Sequence, residues 1–245
     1  MSQRLKISII VPAFNEEKLI ARTLRNFQVA VSPFTKLGWQ TEVIVCDNNS
    51  TDRTAELAGE AGAMVVFEPI NQISRARNSG AAAASGDWLI FVDADSWPSA
   101  ELFADVAEQI QSGRCIGGGS TVRLDEHYLI ANFVMRLWNC LSRAAKLFAG
   151  SFIFCDAAAF REIGGFSNEL FACEEIELTR RLKKLARANG RKVVVLSRHP
   201  ILTSARKMRL YSLRDFFRFF VRTIFGGGRA LKNRDECFPW YDGRR

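Results

Sequence analysis

Two carboxylates one residue apart, Asp93 and Asp95, close the apolar run Trp88-Leu89-Ile90-Phe91-Val92. A continuous run of strand-forming residues is the pattern of a strand buried on both faces of a parallel sheet. Side chains alternate along an extended chain, so an Asp-x-Asp pair can aim both oxygens the same way. Mg²⁺ and Mn²⁺ take oxygen ligands and share coordination with substrate phosphates, so the pair is a candidate divalent-metal site. Asp and Ser are also common turn residues, and the pair alone equally fits a strand-ending turn. Two further runs end in the same manner. Ile7-Ser8-Ile9-Ile10-Val11 closes at Pro12 and is followed by Asn15, Glu16 and Glu17. Glu42-Val43-Ile44-Val45-Cys46 opens into Asp47-Asn48-Asn49-Ser50-Thr51-Asp52. Carboxylates at neighbouring strand ends can accept hydrogen bonds from a base edge and ribose hydroxyls, and Arg75 and Arg77 could meet a diphosphate. Taken singly, each set reads as cap and turn chemistry; the recurrence at successive strand ends favours a nucleotide pocket.

The elements that must hold these groups alternate. After the first strand, Asn15 is predicted to cap a helix carrying Glu16 and Glu17 in its first turn. A helix begins near Thr51, Ala63 to Phe67 forms a third strand, and Ile73 to Ala84 a helix with a basic start. Beyond Asp95, Ser99 to Gln111 reads as an amphipathic helix, Gly117-Gly118-Gly119-Ser120 as a turn, a bulge or a place of close sugar approach, and Tyr128 to Phe148 as another amphipathic helix. Ser151 to Phe154 is a short strand, Ala157 to Ile163 a short helix, Glu174 opens a helix with basic residues toward its end, and Lys192 to Leu196 is a strand. Strands alternating with helices predict a doubly wound, mostly parallel α/β sheet flanked by helices. Crevices in such sheets lie outside the carboxyl ends of the strands, where Asp93 and Asp95 would face. No G-x-G-x-x-G follows the first strand and no G-x-x-x-x-G-K-[ST] occurs, which excludes the dinucleotide-binding and P-loop readings.

Val11-Pro12-Ala13-Phe14-Asn15-Glu16-Glu17, Val45 to Asp52, Ala76-Arg77-Asn78-Ser79-Gly80 and Asp93-Ala94-Asp95 together resemble family 2 glycosyltransferases of the GT-A fold. The likeness continues through Gly164-Gly165-Phe166 and Glu174-Glu175-Ile176-Glu177-Leu178 and covers roughly residues 5 to 206. It implies a GT-A domain over residues 1–206, with 207–245 as a C-terminal amphipathic helix and tail. It also implies inverting transfer from a nucleotide-diphosphate sugar to a sugar or lipid-linked acceptor, assisted by Mn²⁺ or Mg²⁺. By this resemblance Pro12, Ala13, Glu16, Asp47 and Asn49 bind the nucleotide, Arg77 lies near its phosphates, and Asp93, Ala94 and Arg206 complete the donor site. Asp93 and Asp95 hold the metal, with His199 as a third ligand. Glu175 aligns with the position where the family usually carries an Asp general base; Glu174, its neighbour, is the alternative. Acidic residues at a helix start also simply complement the dipole.

The chain's 245 residues, 48% hydrophobic, suffice for one α/β domain with an appendage. Six scattered cysteines without a C-x-x-C pair argue against zinc or a disulfide framework and predict a reducing compartment. No signal-peptide apolar region and no run of roughly 20 apolar residues is apparent, so the expected location is the cytoplasm, including the cytoplasmic face of a membrane. A net charge of +8 suits polyanionic partners. Leu210 to Phe225 interleaves phenylalanines with Arg214, Arg218 and Arg222, a pattern for peripheral membrane contact, for covering the domain or for a homodimer contact. The residues after Gly226-Gly227-Gly228 are predicted to be mobile. A sugar-phosphate nucleotidyltransferase would want a Gly-rich basic loop after the first strand, where Pro12 to Glu17 is neither. A non-catalytic membrane or nucleic-acid binding module gives no reason for carboxylates at successive strand ends, and nucleic acid is not an expected partner.

Overall fold

The computed structural model describes residues 4–206, 210, 229–237 and 241. In chain order these form β1 (Lys6–Ala13), α1 (Ile20–Ala30), α2 (Ser32–Lys36), β2 (Gln40–Asp47), α3 (Thr54–Glu60), β3 (Met64–Phe67), α4 (Ile73–Ala83), β4 (Trp88–Val92), β5 (Ser96–Trp97) and α5 (Ala100–Gln111). There follow β6 (Cys115–Leu124), α6 (Leu129–Ala145), β7 (Phe152–Asp156), α7 (Ala157–Glu162), α8 (Glu174–Ala188) and β8 (Lys192–Thr203). The sheet runs β3-β2-β1-β4-β7-β6-β8-β5. β3, β2, β1 and β4 are mutually parallel, as the alternation of strands and helices predicts. β7 enters antiparallel between β4 and β6, and β8 pairs parallel with β6 and antiparallel with β5. The sheet is thus α/β and mixed, with its parallel half at the N-terminal side.

Alternation along the central strands builds a core on each face. Ile9, Ile90 and Val92 pack with Leu24, Phe27, Phe103 and Val106 beneath α1 and α5. Ile10, Leu89 and Phe91 face the other way, onto Phe160, Phe166, Leu178 and Leu182. Every residue of β4 is buried, because both faces are covered. The glycines of β6 serve this packing rather than a sugar. A Cβ on Gly118 would stand 2.5 Å from the Val194 carbonyl oxygen, and one on Gly117 2.7 Å from that of Phe154. The bulge expected there is present, as a register shift between Cys115 and Gly117.

Several local expectations change. Asn15 does not cap a helix: its backbone is left-handed, at φ 52°, and its side chain accepts the Thr51 N–H, locking the loop after β1 to that after β2. α1 begins only at Ile20, and α3 only at Thr54, whose N–H is accepted by Asp52. β8 runs seven residues past the predicted Leu196. The predicted helix Leu210 to Phe225 lies outside the described residues save for Leu210. The described residues beyond it, expected to be mobile, are packed: two 3₁₀ turns, Arg229–Lys232 and Asp235–Cys237, bring Leu231, Cys237 and Tyr241 against Ile73, Phe171 and Ala172. The Phe171 N–H donates to the Leu231 carbonyl and the Ile73 N–H to the Tyr241 hydroxyl. All six cysteines are free. Among the described residues no helix is long and apolar enough to cross a membrane.

At the amino end of the parallel strands, Glu42 of β2 accepts from Ser8 Oγ of β1 at 2.6 Å and from the Ser85 N–H before β4 at 2.8 Å, and pairs with Lys6 at 2.7 Å. Partial burial alone would raise its pKa; Lys6, Ser8 and Ser85 reverse this and hold the carboxyl down from 4.5 to about 2. A depressed carboxylate contributes stability that is complete above its unfolded value and is lost as the pH falls through the folded one. Glu42→Gln should therefore lower unfolding stability at neutral pH by about 1–2 kcal/mol. The gap to wild type should narrow in urea titrations as the buffer is taken from 4.5 toward about 2.

Candidate active site

The carboxyl ends of β1 and β4 and the start of α8 enclose a cleft of about 240 Å³. Of the residues singled out from sequence, it is lined by Pro12, Ala13, Glu16, Arg77, Asp93, Ala94, Asp95, Glu174, Glu175 and Arg206. Three others do not line it. Asp47, at the tip of β2, is buried and accepts the Ser50 N–H, so it braces its own loop. Asn49 adopts φ 65° and turns to solvent; its neighbour Asn48 lines the cleft instead, fixed by donating to the Ile70 carbonyl and accepting the Gln72 N–H. His199 stands on β8 four residues before Thr203, roughly 13 Å along an extended strand from the rung where Thr203 pairs with Ser96. Its Nδ1 lies 3.0 Å from Asp105 of α5, so it is not brought to Asp93 or Asp95. The strand extends beyond Leu196 through a register shift at Ser120/Val122, and this carries His199 away.

Arg77 organises the centre. It lies on α4, 2% exposed, and its guanidinium donates to Glu174 at 2.6 Å, to Asp93 at 2.9 Å and to the Gly150 carbonyl at 2.9 Å. Phe166 supports it from below, with the guanidinium 5.2 Å from the ring centre. The Gly164-Gly165-Phe166 segment makes this possible: both glycines have positive φ, and Asn78 both accepts the Phe166 N–H and donates to its carbonyl. Burial disfavours the Arg77 charge, but Asp93, Glu174 and Glu175 more than offset it and raise its pKa.

Left-handed Cys173, at φ 60°, turns the chain into α8, so that helix presents its first turn to the cleft. Glu174 and Glu175 consequently differ. Glu174 is buried and neutralised by Arg77. Glu175 lines the cleft, half-buried, with no ion pair among the described residues. Burial first, and then the neighbouring Glu174 charge, push its carboxyl up to about 8 against the opposing pull of Arg77.

A second arginine governs the other rim. Arg206 forms a two-pronged pair with Glu16, at 2.9 and 2.7 Å, and approaches Asp95 at 3.4 Å. Its position is set by β8, whose end is fastened to the Asp95 strand when the Ser204 N–H donates to the Asp95 carbonyl. Asp93 and Asp95 thus offer two hard oxygen donors to one cleft. Among the described residues no third His, Cys, Asp or Glu completes a metal cluster. Two carboxylates, with waters and substrate phosphates making up the remainder, fit Mg²⁺ or Mn²⁺. Sequence reasoning did not single out Asn48, Asn71, Gly150, Ser151, Ala172 and Cys173 of the lining; the positive φ of Cys173 has no signature in its residue type.

The family model of glycosyl transferase family 2 matches residues 8–162. Among curated relatives, the probable glycosyltransferase YdaM of Bacillus subtilis is 36% identical over 107 residues, 40% of this chain and 24% of the relative. Dolichol-phosphate mannosyltransferase of Pyrococcus furiosus is 29% identical over 124 residues, 47% of this chain and 33% of its own. The chain therefore spans a third or less of the length of these two relatives. The solved mannosyltransferase PcManGT of Pyrobaculum calidifontis, in complex with GDP-Man and Mn²⁺, matches 96% of this chain and 67% of its own at TM-score 0.71 and 20% identity. S. aureus TarS 1-349 in complex with UDP-GlcNAc matches 96% of this chain and 69% of its own at TM-score 0.64 and 21% identity. At these identities the two structures show a shared fold.

Removing Arg77 should leave Glu174 buried without its counter-charge, a loss of about 3–5 kcal/mol. Arg77→Leu is expected to show this in denaturant unfolding, and Arg77→Leu with Glu174→Leu to recover much of it. Equal stability of the two variants would mean that the pair does not carry the energy.

Proposed function

The chain belongs to glycosyl transferase family 2, and from that premise we propose that it moves a sugar from a nucleotide-diphosphate sugar to an acceptor hydroxyl or a lipid phosphate, with inversion at the anomeric carbon. The observation that carries this reading is the division of acidic groups in one cleft. Asp93 and Asp95 face it as oxygen donors, Glu174 is neutralised, and Glu175 alone combines an unpaired carboxylate with a raised affinity for a proton. That is the combination a general base requires.

In this reading the nucleoside lies along Pro12, Ala13, Phe14 and Asn48, and the diphosphate points toward Arg206 and the two aspartates. A divalent ion held by Asp93 and Asp95 would supply Lewis-acid stabilisation of the charge that grows on the leaving diphosphate. Arg77 keeps Asp93 oriented and fixes the Gly150 carbonyl. Glu175 takes the proton of the acceptor hydroxyl as its oxygen bonds to the anomeric carbon, and the bond to the diphosphate oxygen breaks on the opposite face. A phosphate acceptor needs no such proton transfer, and there Glu175 would face the positive charge that develops on the sugar. Work on a lipid-linked acceptor would take place at the cytoplasmic face of a membrane, and on a sugar acceptor in the cytoplasm.

Asp95→Ala should remain folded and lose most metal-dependent affinity for UDP or GDP in calorimetry with and without Mn²⁺. Unchanged affinity in the variant would reject the aspartate site. For turnover of a hydroxyl acceptor, the base must be unprotonated. Glu175 holds its proton up to about 8 in the free protein, so kcat/KM should rise with pH and level off above that value. Glu175→Gln should lower kcat about 10²–10⁴-fold, with donor affinity retained and the rising limb abolished. If Glu174→Gln is the inactive variant instead, the register is off by one residue.

A further inference from the structure

Helix α6 carries an apolar face on each side. Ala131, Met135, Trp138 and Ser142 turn inward, and Asn139 fastens the helix to β6 by accepting the Val122 N–H at 2.9 Å and donating to its carbonyl at 2.8 Å. The outer face holds Leu129, Ile130, Phe133, Val134, Leu137 and Leu141, with Leu129 91%, Phe133 68% and Leu137 64% exposed. They recur at helical spacing as one continuous stripe, where a surface helix ordinarily carries polar residues.

The charge along the helix itself is of one sign, with Asp125 and Glu126 standing only before its start. From Tyr128 to Phe148 the chain has Arg136, Arg143 and Lys146 and no acidic residue. A groove of about 470 Å³ between α6 and the strands beneath is lined by Arg123, Arg136, Arg143 and His127, without a carboxylate. The three arginines make no ion pair or hydrogen bond among the described residues. At the carboxyl end of α6, Lys183 of α8 donates to the Ala145 carbonyl and shares its surroundings with Lys146, Arg180 and Arg187.

We infer that α6 is a membrane-docking helix whose outer stripe enters an anionic phospholipid surface while the unpaired arginines in the groove meet headgroup phosphates. Apolar side chains flanked by unpaired cations are the complement of such an interface. A second copy on this face by two-fold symmetry would set the arginines of one groove against those of the other, and neither groove holds a carboxylate to relieve them. The chain's own 210–225 segment carries Arg214, Arg218 and Arg222 against the single acid Asp215, so its charge is of the same sign as the groove's. The inference does not depend on the transfer chemistry, because vesicle binding is read without turnover.

The test is flotation of the full chain with phosphatidylglycerol–phosphatidylcholine vesicles and with phosphatidylcholine alone, at low and high salt. Binding is expected to the anionic vesicles, weaker at high salt. Phe133→Ser with Leu137→Ser, and separately Arg136→Glu with Arg143→Glu, should each reduce the bound fraction roughly tenfold or more, with the thermal midpoint unchanged because these side chains are exposed. A polarity-sensitive fluorophore on Cys140, the exposed cysteine of α6, should shift to the blue on anionic vesicles and gives a reading should the variants misfold. Three results would overturn the inference: a full chain that ignores anionic vesicles; binding that survives both α6 variants; or a vesicle-free dimer that the Phe133→Ser/Leu137→Ser variant breaks.

Discussion

A single buried cation constrains the rest of the cleft. Arg77 joins the end of β4 through Asp93, the start of α8 through Glu174, and the loop before β7 through the Gly150 carbonyl. These partners stand 16, 97 and 73 residues from it in sequence. A guanidinium offers five donors in a planar fork, so one side chain can hold three separate segments, which a lysine ammonium with its flexible stem would do less well. Gly150 leaves room for this: a Cβ there would stand 3.3 Å from the Arg77 guanidinium, a tight contact. An unpaired charge at this depth would be costly, so the arginine and its carboxylates must be placed together, and the elements carrying them are thereby placed too.

Pairing also distributes chemical roles among neighbouring carboxylates. Glu174 and Glu175 differ by one position in one helical turn, yet the first faces Arg77 and the second the open cleft. Helix geometry produces the difference, since consecutive residues point about 100° apart. Burial first, and then repulsion from the neighbouring Glu174, raise the proton affinity of Glu175. Arg206 balances the other rim in the same way by holding Glu16 and reaching toward Asp95. Two arginines thus offset part of the charge of five carboxylates in one cleft, one fixed on α4 and one delivered by the chain leaving β8.

The strand ends were legible in the sequence because buried parallel strands are continuous apolar runs, and polar residues stop them where the sheet stops. Asp93, Asp95, Pro12 and Glu16 follow from that rule taken together with the family resemblance, and all four line the cleft. Asp47 satisfied the same rule, but its side chain curls back to the Ser50 N–H, and the left-handed turn at Asn49 then sends the following residues outward. Such a turn is a backbone choice that residue type only weakly announces. His199 was misplaced because β8 continues through a register shift that no hydrophobic period marks. The partnership of Arg77 with Glu174 was unreadable for another reason: it links residues 97 apart, and each looked locally complete, the one as a basic helix start and the other as dipole-complementing acid.

The mixed sheet shows why this cleft is assembled from both halves of the chain. β1, β2 and β4 run parallel, so their carboxyl ends share one edge. β7 runs antiparallel to β4, which places its beginning at that same edge and brings Gly150 and Ser151 beside Asp93. β6 is antiparallel to β7 and parallel to β8, so β8 also ends there, with Thr203 opposite Ser96 and the chain turning onto Asp95. Had β7 been parallel, its beginning would lie at the far edge, and the loop that accepts from Arg77 would be on the wrong side of the sheet. Reversal of one strand therefore gives the cleft a wall from each half of the chain. The glycines of β6 suit its local geometry, since a Cβ on Gly117 or Gly118 would run into the Phe154 carbonyl of β7 or the Val194 carbonyl of β8.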